Sequence, residues 1–217
     1  MKLRDYIKVS WAAALSLSLS GCISSSGVPA PSAADAPFVT EYLTPVRVVC
    51  SWGDIDNADH LLEPFPGQVS TVDTVVTSFS KGGSVLLDFG REIQGGIEIV
   101  RNMSGSRKVR FRLVLGESVS EALSSVDARE TTATNDHAMR DMEIYVPWLG
   151  SAEYGNSGFR FARLDLVDGD GTDVGLVAVR AVSKYRDVPY LGTFRCSDDR
   201  MNQIWQTGAY TVHLCMQ

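Results

Sequence analysis

Nowhere does this 217-residue chain carry the ~20 consecutive apolar residues that a membrane-spanning helix needs. G-x-S-x-G, H-E-x-x-H, the phosphate-binding P-loop and C-x-x-C are all missing. No motif for a cofactor is present either, and none is expected. The three histidines, His60, His137 and His213, are scattered and read as surface or structural residues rather than as a ligand set. Positive charge is in deficit: the net charge of −6 argues against the basic stripe that phosphate backbones require, so no nucleic-acid partner is expected. The local run Arg107, Lys108, Arg110, Arg112 reads as the solvated face of a strand. Cysteine is sparse and irregularly spaced, which gives neither a disulfide framework nor a metal-ligand pattern.

What the chain does have begins with a targeting segment. Lys2, Arg4 and Lys8 form a positive start, Val9 to Leu19 is a short apolar stretch, and Leu19-Ser20-Gly21-Cys22 follows in the order of a bacterial lipobox. Cleavage before Cys22 would make that thiol the site of lipidation. It would remove three positive residues and one negative, moving the net charge from −6 to −8. More than one acyl chain on the residue gives stable anchoring, so the membrane becomes a partner through Cys22. Residues 1–21 are thus expected to be a signal peptide and 22–43, rich in Ser, Ala and Pro, a flexible tether. The implied location is the cell envelope, at the outer membrane, facing the periplasm or the surface. The remaining cysteines, Cys50, Cys196 and Cys215, are either buried thiols or, for Cys50 and Cys196, a bridge.

From about residue 44 the texture is that of strands. In Val109 to Leu115 the apolar Val109, Phe111, Leu113 and Leu115 alternate with Lys108, Arg110 and Arg112, the period of a strand with one wet face. The run Val85 to Val100 reads as two apolar strands joined by a polar turn, with Gly95 and Gly96 permitting a bulge or close backbone approach. Further strands are expected near Val46 to Cys50, Thr74 to Phe79, Met142 to Val146, Phe159 to Val167 and Val174 to Tyr185. A turn containing Gly155, Asn156 and Gly158 precedes the fourth of these. Residues 116–137 form a long polar loop, with one helical turn near Val119 to Leu123. Short strands with Gly/Asp turns between them predict an all-β fold over 44–189, an antiparallel β-sandwich of jelly-roll type. Residues 190–217 read as a connector followed by a helix. Ser197 serves as its N-cap, and Met201, Ile204, Trp205, Gly208 and Val212 form one stripe.

Candidate site residues are few. Asn135, Asp136, His137 and Arg140 are concentrated with Asp141 at the end of the polar loop. Such groups can hydrogen-bond sugar hydroxyls, hold a cation, or cap a turn and pair with one another. Trp52, Trp148 and Tyr154 offer a stacking face or core aromatics. Asp168-Gly169-Asp170-Gly171-Thr172-Asp173 is a calcium candidate or a plain turn, and it lacks the remaining ligands of an EF-hand. Asp88, Arg91 and Glu92 read as turn and pairing residues.

Five segments in order, Leu86 to Gly96 (LLDFGREIQGG), Val109 to Ser118 (VRFRLVLGES), Ala133 to Asp141 (ATNDHAMRD), Gly158 to Leu166 (GFRFARLDL) and Leu191 to Gln217, together resemble bacterial α-L-rhamnosidases. The likeness runs from about Thr44 onward. It is most specific at Phe194 to Ser197, Asn202, Ile204, Trp205, Tyr210 and Thr211. The resemblance implies a sandwich preceding an (α/α)₆ barrel, of which residues 190–217 would be the entry and first helix of a truncated domain. It also implies a glycoside hydrolase that cleaves terminal L-rhamnose from glycans or glycosides with inversion, using two carboxylates ~6.5–9.5 Å apart. Those carboxylates would lie beyond Gln217, leaving no catalytic residue here. The other reading is a non-catalytic carbohydrate-binding envelope lipoprotein. Both take a rhamnose-containing glycan or glycoside as partner.

Overall fold

The longest apolar segment, Ser84–Arg101 (β5), is a strand buried along almost its whole length, on both faces. Burial on both faces requires neighbours on each edge and layers above and below. The computed structural model supplies them, describing residues 36–69, 75–124 and 140–216. The other strands are Phe38–Leu43 (β1), Arg47–Trp52 (β2), Ile55–Asp56 (β3), Thr77–Phe79 (β4), Val109–Gly116 (β6), Asp141–Val146 (β7), Gly150–Asp168 (β8) and Val174–Arg186 (β9). A short helix, Val119–Leu123 (α1), and a longer one, Asp199–Leu214 (α2), complete the secondary structure apart from a 3-10 turn at Ala58–Leu62.

Every pairing is antiparallel, in the order β3-β4-β9-β5-β8-β6-β7, with β1 added to β9 and β2 to β5. The first half of β5 lies between β2 and β8, its second half between β9 and β8. One edge of β5 therefore changes partner midway, which joins the sandwich into one hydrogen-bonded network. The expected all-β sandwich followed by a helix is what forms. Its core holds Ile97, Ile99, Leu113, Leu115, Val179 and two edge-to-face phenylalanine pairs: Phe79 with Phe111 at 5.3 Å and Phe89 with Phe159 at 5.8 Å. The alternation read in β6 holds, with Val109, Phe111, Leu113 and Leu115 all buried. On its wet face, Arg110 and Arg112 pair with Glu143 and Asp141 of β7.

Four boundaries differ from expectation. Residues 85–100 are one strand with two irregularities, because β8 remains the partner on both sides of the polar excursion: Asp88 pairs with Phe161 and Ile93 with Phe159. The turn expected at Gly155 to Gly158 is likewise internal to β8, which runs unbroken from Gly150. β1 also occupies the last residues of the stretch read as tether, where the Thr40, Tyr42 and Leu43 backbone completes the edge of β9. At the other end, the N-cap of α2 is Asp198 rather than Ser197; its carboxylate accepts from the Arg200 and Met201 amides. Cys50, Cys196 and Cys215 are all free thiols, and Cys50 and Cys215 are exposed.

The glycines of β5 and β8 face one another across the second irregularity, between Gly95 and Ile97. A Cβ on Gly96 would sit 2.5 Å from the Gly155 carbonyl oxygen and 2.6 Å from that of Tyr154, both backbone atoms that cannot swing aside. Gly96→Ala is expected to cost about 2 kcal/mol of stability in urea unfolding. Gly192→Ala, where a Cβ meets nothing within 4 Å, is the control and should leave the midpoint in place. Equal midpoints for the two variants would refute the close-approach reading.

Candidate functional site

Two groups of polar side chains gather where β5 makes its first excursion, between Asp88 and Ile93. The first is ionic. Asp88 is 2 % exposed, yet it accepts four hydrogen bonds: from the Gly90 amide at 2.8 Å, from Arg160 Nε at 2.8 Å and Nη2 at 3.0 Å, and from Arg47 Nη2 at 2.9 Å. Arg160 foremost, with the Gly90 amide and Arg47, holds the carboxyl down to about 2 against the cost of burial. Gly90 at φ 79° makes the bulge that this carboxylate closes.

Four residues on, Glu92 has the opposite fate. Burial pushes its carboxyl up to about 7, Glu117 and Glu121 push the same way, and Arg140 and Arg160 oppose them. Arg140 donates to Glu117 Oε1 at 2.8 Å and also to Glu121 Oε1. Ser118 caps α1 by accepting from the Glu121 amide, which fixes Glu121 in place. Of the four loop residues singled out in sequence, Arg140 therefore stands in an ion-pair cluster at the start of β7. Asn135, Asp136 and His137, like Cys22, lie outside the described residues.

The second group is a cleft of about 500 Å³ between the β1/β9 edge and α2, within one compact unit, Ser32–Gln217. Its working walls are Glu41, Arg91, Tyr185, Tyr190, Tyr210 and His213. Tyr210 donates to the Glu92 carbonyl oxygen at 2.6 Å, and burial raises the Tyr210 phenol. His213 Nε2 lies 2.7 Å from the Arg186 carbonyl oxygen, which can only accept, so Nε2 carries hydrogen. In the neutral ring Nδ1 then accepts from the Tyr190 hydroxyl, 2.9 Å away. The rings of Tyr185 and Tyr190 both meet His213 edge to face. Arg91 reaches Glu41 at 3.3 Å across the cleft.

The other sequence candidates are dispersed. Trp148 donates to the Met103 carbonyl beneath the Arg107 guanidinium, Tyr154 donates to the Tyr145 carbonyl and packs on the core, and Trp52 ends β2. They form no common stacking face. A wider groove of about 870 Å³ is lined by Asp54, Asp56, Asp168 and Asp173. There Asp168 accepts from the Asp170 amide, closing the turn, and Asp173 accepts from the hydroxyl of Ser80, just after β4. Among the described residues no group of three or more His, Cys, Asp or Glu could hold a metal ion, and no helix is long and apolar enough to cross a membrane.

Sequence reading missed the cleft because its walls come from residues as far apart as Glu41 and His213. It treated Glu92 as a pairing residue, since nothing local shows that Glu117 and Glu121 are brought beside it. The tyrosines Tyr185, Tyr190 and Tyr210 were the one available signal.

No protein-family model matches the chain, and a search of curated proteins finds no significant relative. Among solved structures, the rhamnosidase from Klebsiella oxytoca with rhamnose bound matches with a TM-score of 0.62 at 17% identity, over 84% of this chain and 36% of that one. The GH78 family rhamnosidase of Bacillus sp. GL1 matches with a TM-score of 0.45 at 20% identity, over 73% of this chain and 15% of that one. The CBM32 of AlyQ in complex with 4,5-unsaturated mannuronic acid gives 0.40 at 13% identity, over 65% and 97%. The first of these defines the class: an antiparallel sandwich of rhamnosidase-like fold. The chain spans about a third of the length of that structure.

Glu92 generates a pH dependence with a definite sign. Its folded pKa of about 7 exceeds the ordinary 4.5, so the folded state holds the extra proton between those values. The stability this contributes is present below the lower value and lost as pH rises through the upper. Glu92→Gln should flatten the decline in Tm measured between about pH 5 and pH 8. A decline as steep in the variant as in the parent chain would show that the group does not titrate there.

Proposed function

We propose that this chain is the N-terminal, non-catalytic part of a lipid-anchored, α-L-rhamnosidase-like glycoside hydrolase that acts on rhamnose-containing glycans or glycosides. The observation that carries the reading is the 0.62 fold match, which takes in most of this chain but 36% of the rhamnosidase. The ordered segments from Leu86 to Tyr210 support it independently of the fold. So does α2. None of its residues is buried, and Met201, Ile204 and Val212 of the apolar stripe stand 47%, 57% and 57% exposed, turned away from the sheet that Tyr210 and His213 touch. In this reading the stripe receives a helical catalytic domain, and the sandwich orients it.

Inverting hydrolysis requires an acid and a base with room for water between them. The described acidic cluster does not fit that work, because Arg140 pairs with both Glu117 and Glu121. In this reading the catalytic pair is contributed by the helical domain rather than by the described acidic cluster. In this reading, anchorage through Cys22 would hold the protein in the cell envelope.

Two outcomes follow. A product extended from the gene past Gln217 should release L-rhamnose from 4-nitrophenyl α-L-rhamnopyranoside, and the 217-residue chain alone should not. A stop codon directly after Gln217, or an inert extended product, would falsify the enzymatic reading. For the anchor, cells expressing the chain should incorporate labelled palmitate into it, with Cys22→Ser abolishing the label and moving the protein to the soluble fraction. Label retained in C22S would remove the anchor from the proposal.

A further inference from the structure

We propose that the cleft between β9 and α2 is itself a binding site for a neutral pyranose, a function beyond the scaffold role and independent of it. The cleft volume of about 500 Å³ lies within the range of small-molecule sites. Its charge is balanced, since Glu41 and Arg91 pair across it, which disfavours both an anion and a cation as ligand. The hydrogens of the Tyr210 and Tyr190 hydroxyls are already committed, to the Glu92 carbonyl and to His213, so both oxygens can only accept from a ligand. With Glu41 they form an acceptor-rich wall, and Arg91 supplies the donors. A ligand matched to that wall carries several hydroxyl hydrogens and no charge. Tyr185 and Tyr190 add aromatic surface held rigid by His213, against which the C–H face of a sugar ring can pack. Uncharged, hydroxyl-rich and apolar on one face describes a pyranose. Exposure fits as well: Tyr190 is 55% exposed, and the Arg91 and Glu41 side chains are 51% and 44% exposed.

The test uses the full chain in lauryldimethylamine oxide, a sugar-free detergent, titrated by calorimetry and saturation-transfer NMR. The probes are methyl α-L-rhamnopyranoside, methyl β-D-glucopyranoside and D-glucuronate. At least one methyl pyranoside should bind in the millimolar range, and Arg91→Ala and Tyr190→Ala should each weaken it by about tenfold or more, the loss of one charged hydrogen bond or stacking contact. Arg110→Ala, on β6 and outside the cleft lining, should change nothing. Binding of the glucoside without the rhamnoside would support the cleft while removing the rhamnose preference from the enzymatic reading. The proposal is overturned if neither methyl pyranoside binds, if both cleft variants bind as the parent does, or if glucuronate binds as tightly.

Discussion

The buried carboxylate of Asp88 is the contact on which the rest of the structure depends. An ionised group at 2 % exposure survives only if its lost hydration is replaced, and four hydrogen bonds from three sources replace it. Those sources are Arg47 on β2, Arg160 on β8 and the Gly90 amide of β5 itself. One side chain thus ties three strands together at the point where β5 departs from regular pairing. The departure is what carries Arg91 toward Glu41 and presents the Glu92 carbonyl to Tyr210. Because the folded pKa is depressed to about 2 from 3.8, the stabilisation is complete above the ordinary value and disappears as pH falls through the folded one. The Asp88 contact is thereby insensitive to the neutral range in which Glu92 titrates.

Much of the fold was legible because strand periodicity is a local signal. The alternation in β6 needs eight residues to show itself, and each apolar position proved buried. The helical turn expected near Val119 to Leu123 also forms, capped by Ser118. What misled was glycine. Gly90 and Gly155 both take positive φ, which in sequence is indistinguishable from a chain reversal, but here each allows a strand to continue, as Gly95 does at the bulge expected there. Whether a glycine ends a strand or bends it depends on whether the partner strand resumes beyond it. That is a property of β8, some sixty residues away from β5.

The site was less legible for a related reason. Arg140 stood out by its neighbours in sequence, yet its contacts are Glu117 and Glu121, across the polar loop. Glu92 looked like any turn residue because its unusual protonation comes from burial and from those same two carboxylates. The cleft depends on longer separations still, with Glu92 and Tyr210 joined over 118 positions. Chemistry that arises from juxtaposition leaves only residue types in the sequence, and the tyrosines at 185, 190 and 210 were read as strand, connector and helix.

The way α2 docks explains why there is a cleft at all. A helix that buried its apolar stripe would settle against the sheet at close packing distance and exclude the space between. Instead α2 turns Met201, Ile204 and Val212 outward and touches the sandwich through the tips of Tyr210 and His213, each ending in a hydrogen bond to a backbone carbonyl. Such bonds contribute about 1 kcal/mol each, far less than burying a large apolar face, but they are directional. They set the helix at the length of an aromatic side chain from the sheet and hold it at that distance. The same choice of face leaves the apolar stripe open to a further domain and leaves the tyrosine-lined gap open to a ligand. Assembly and recognition would then follow from one orientation of one helix.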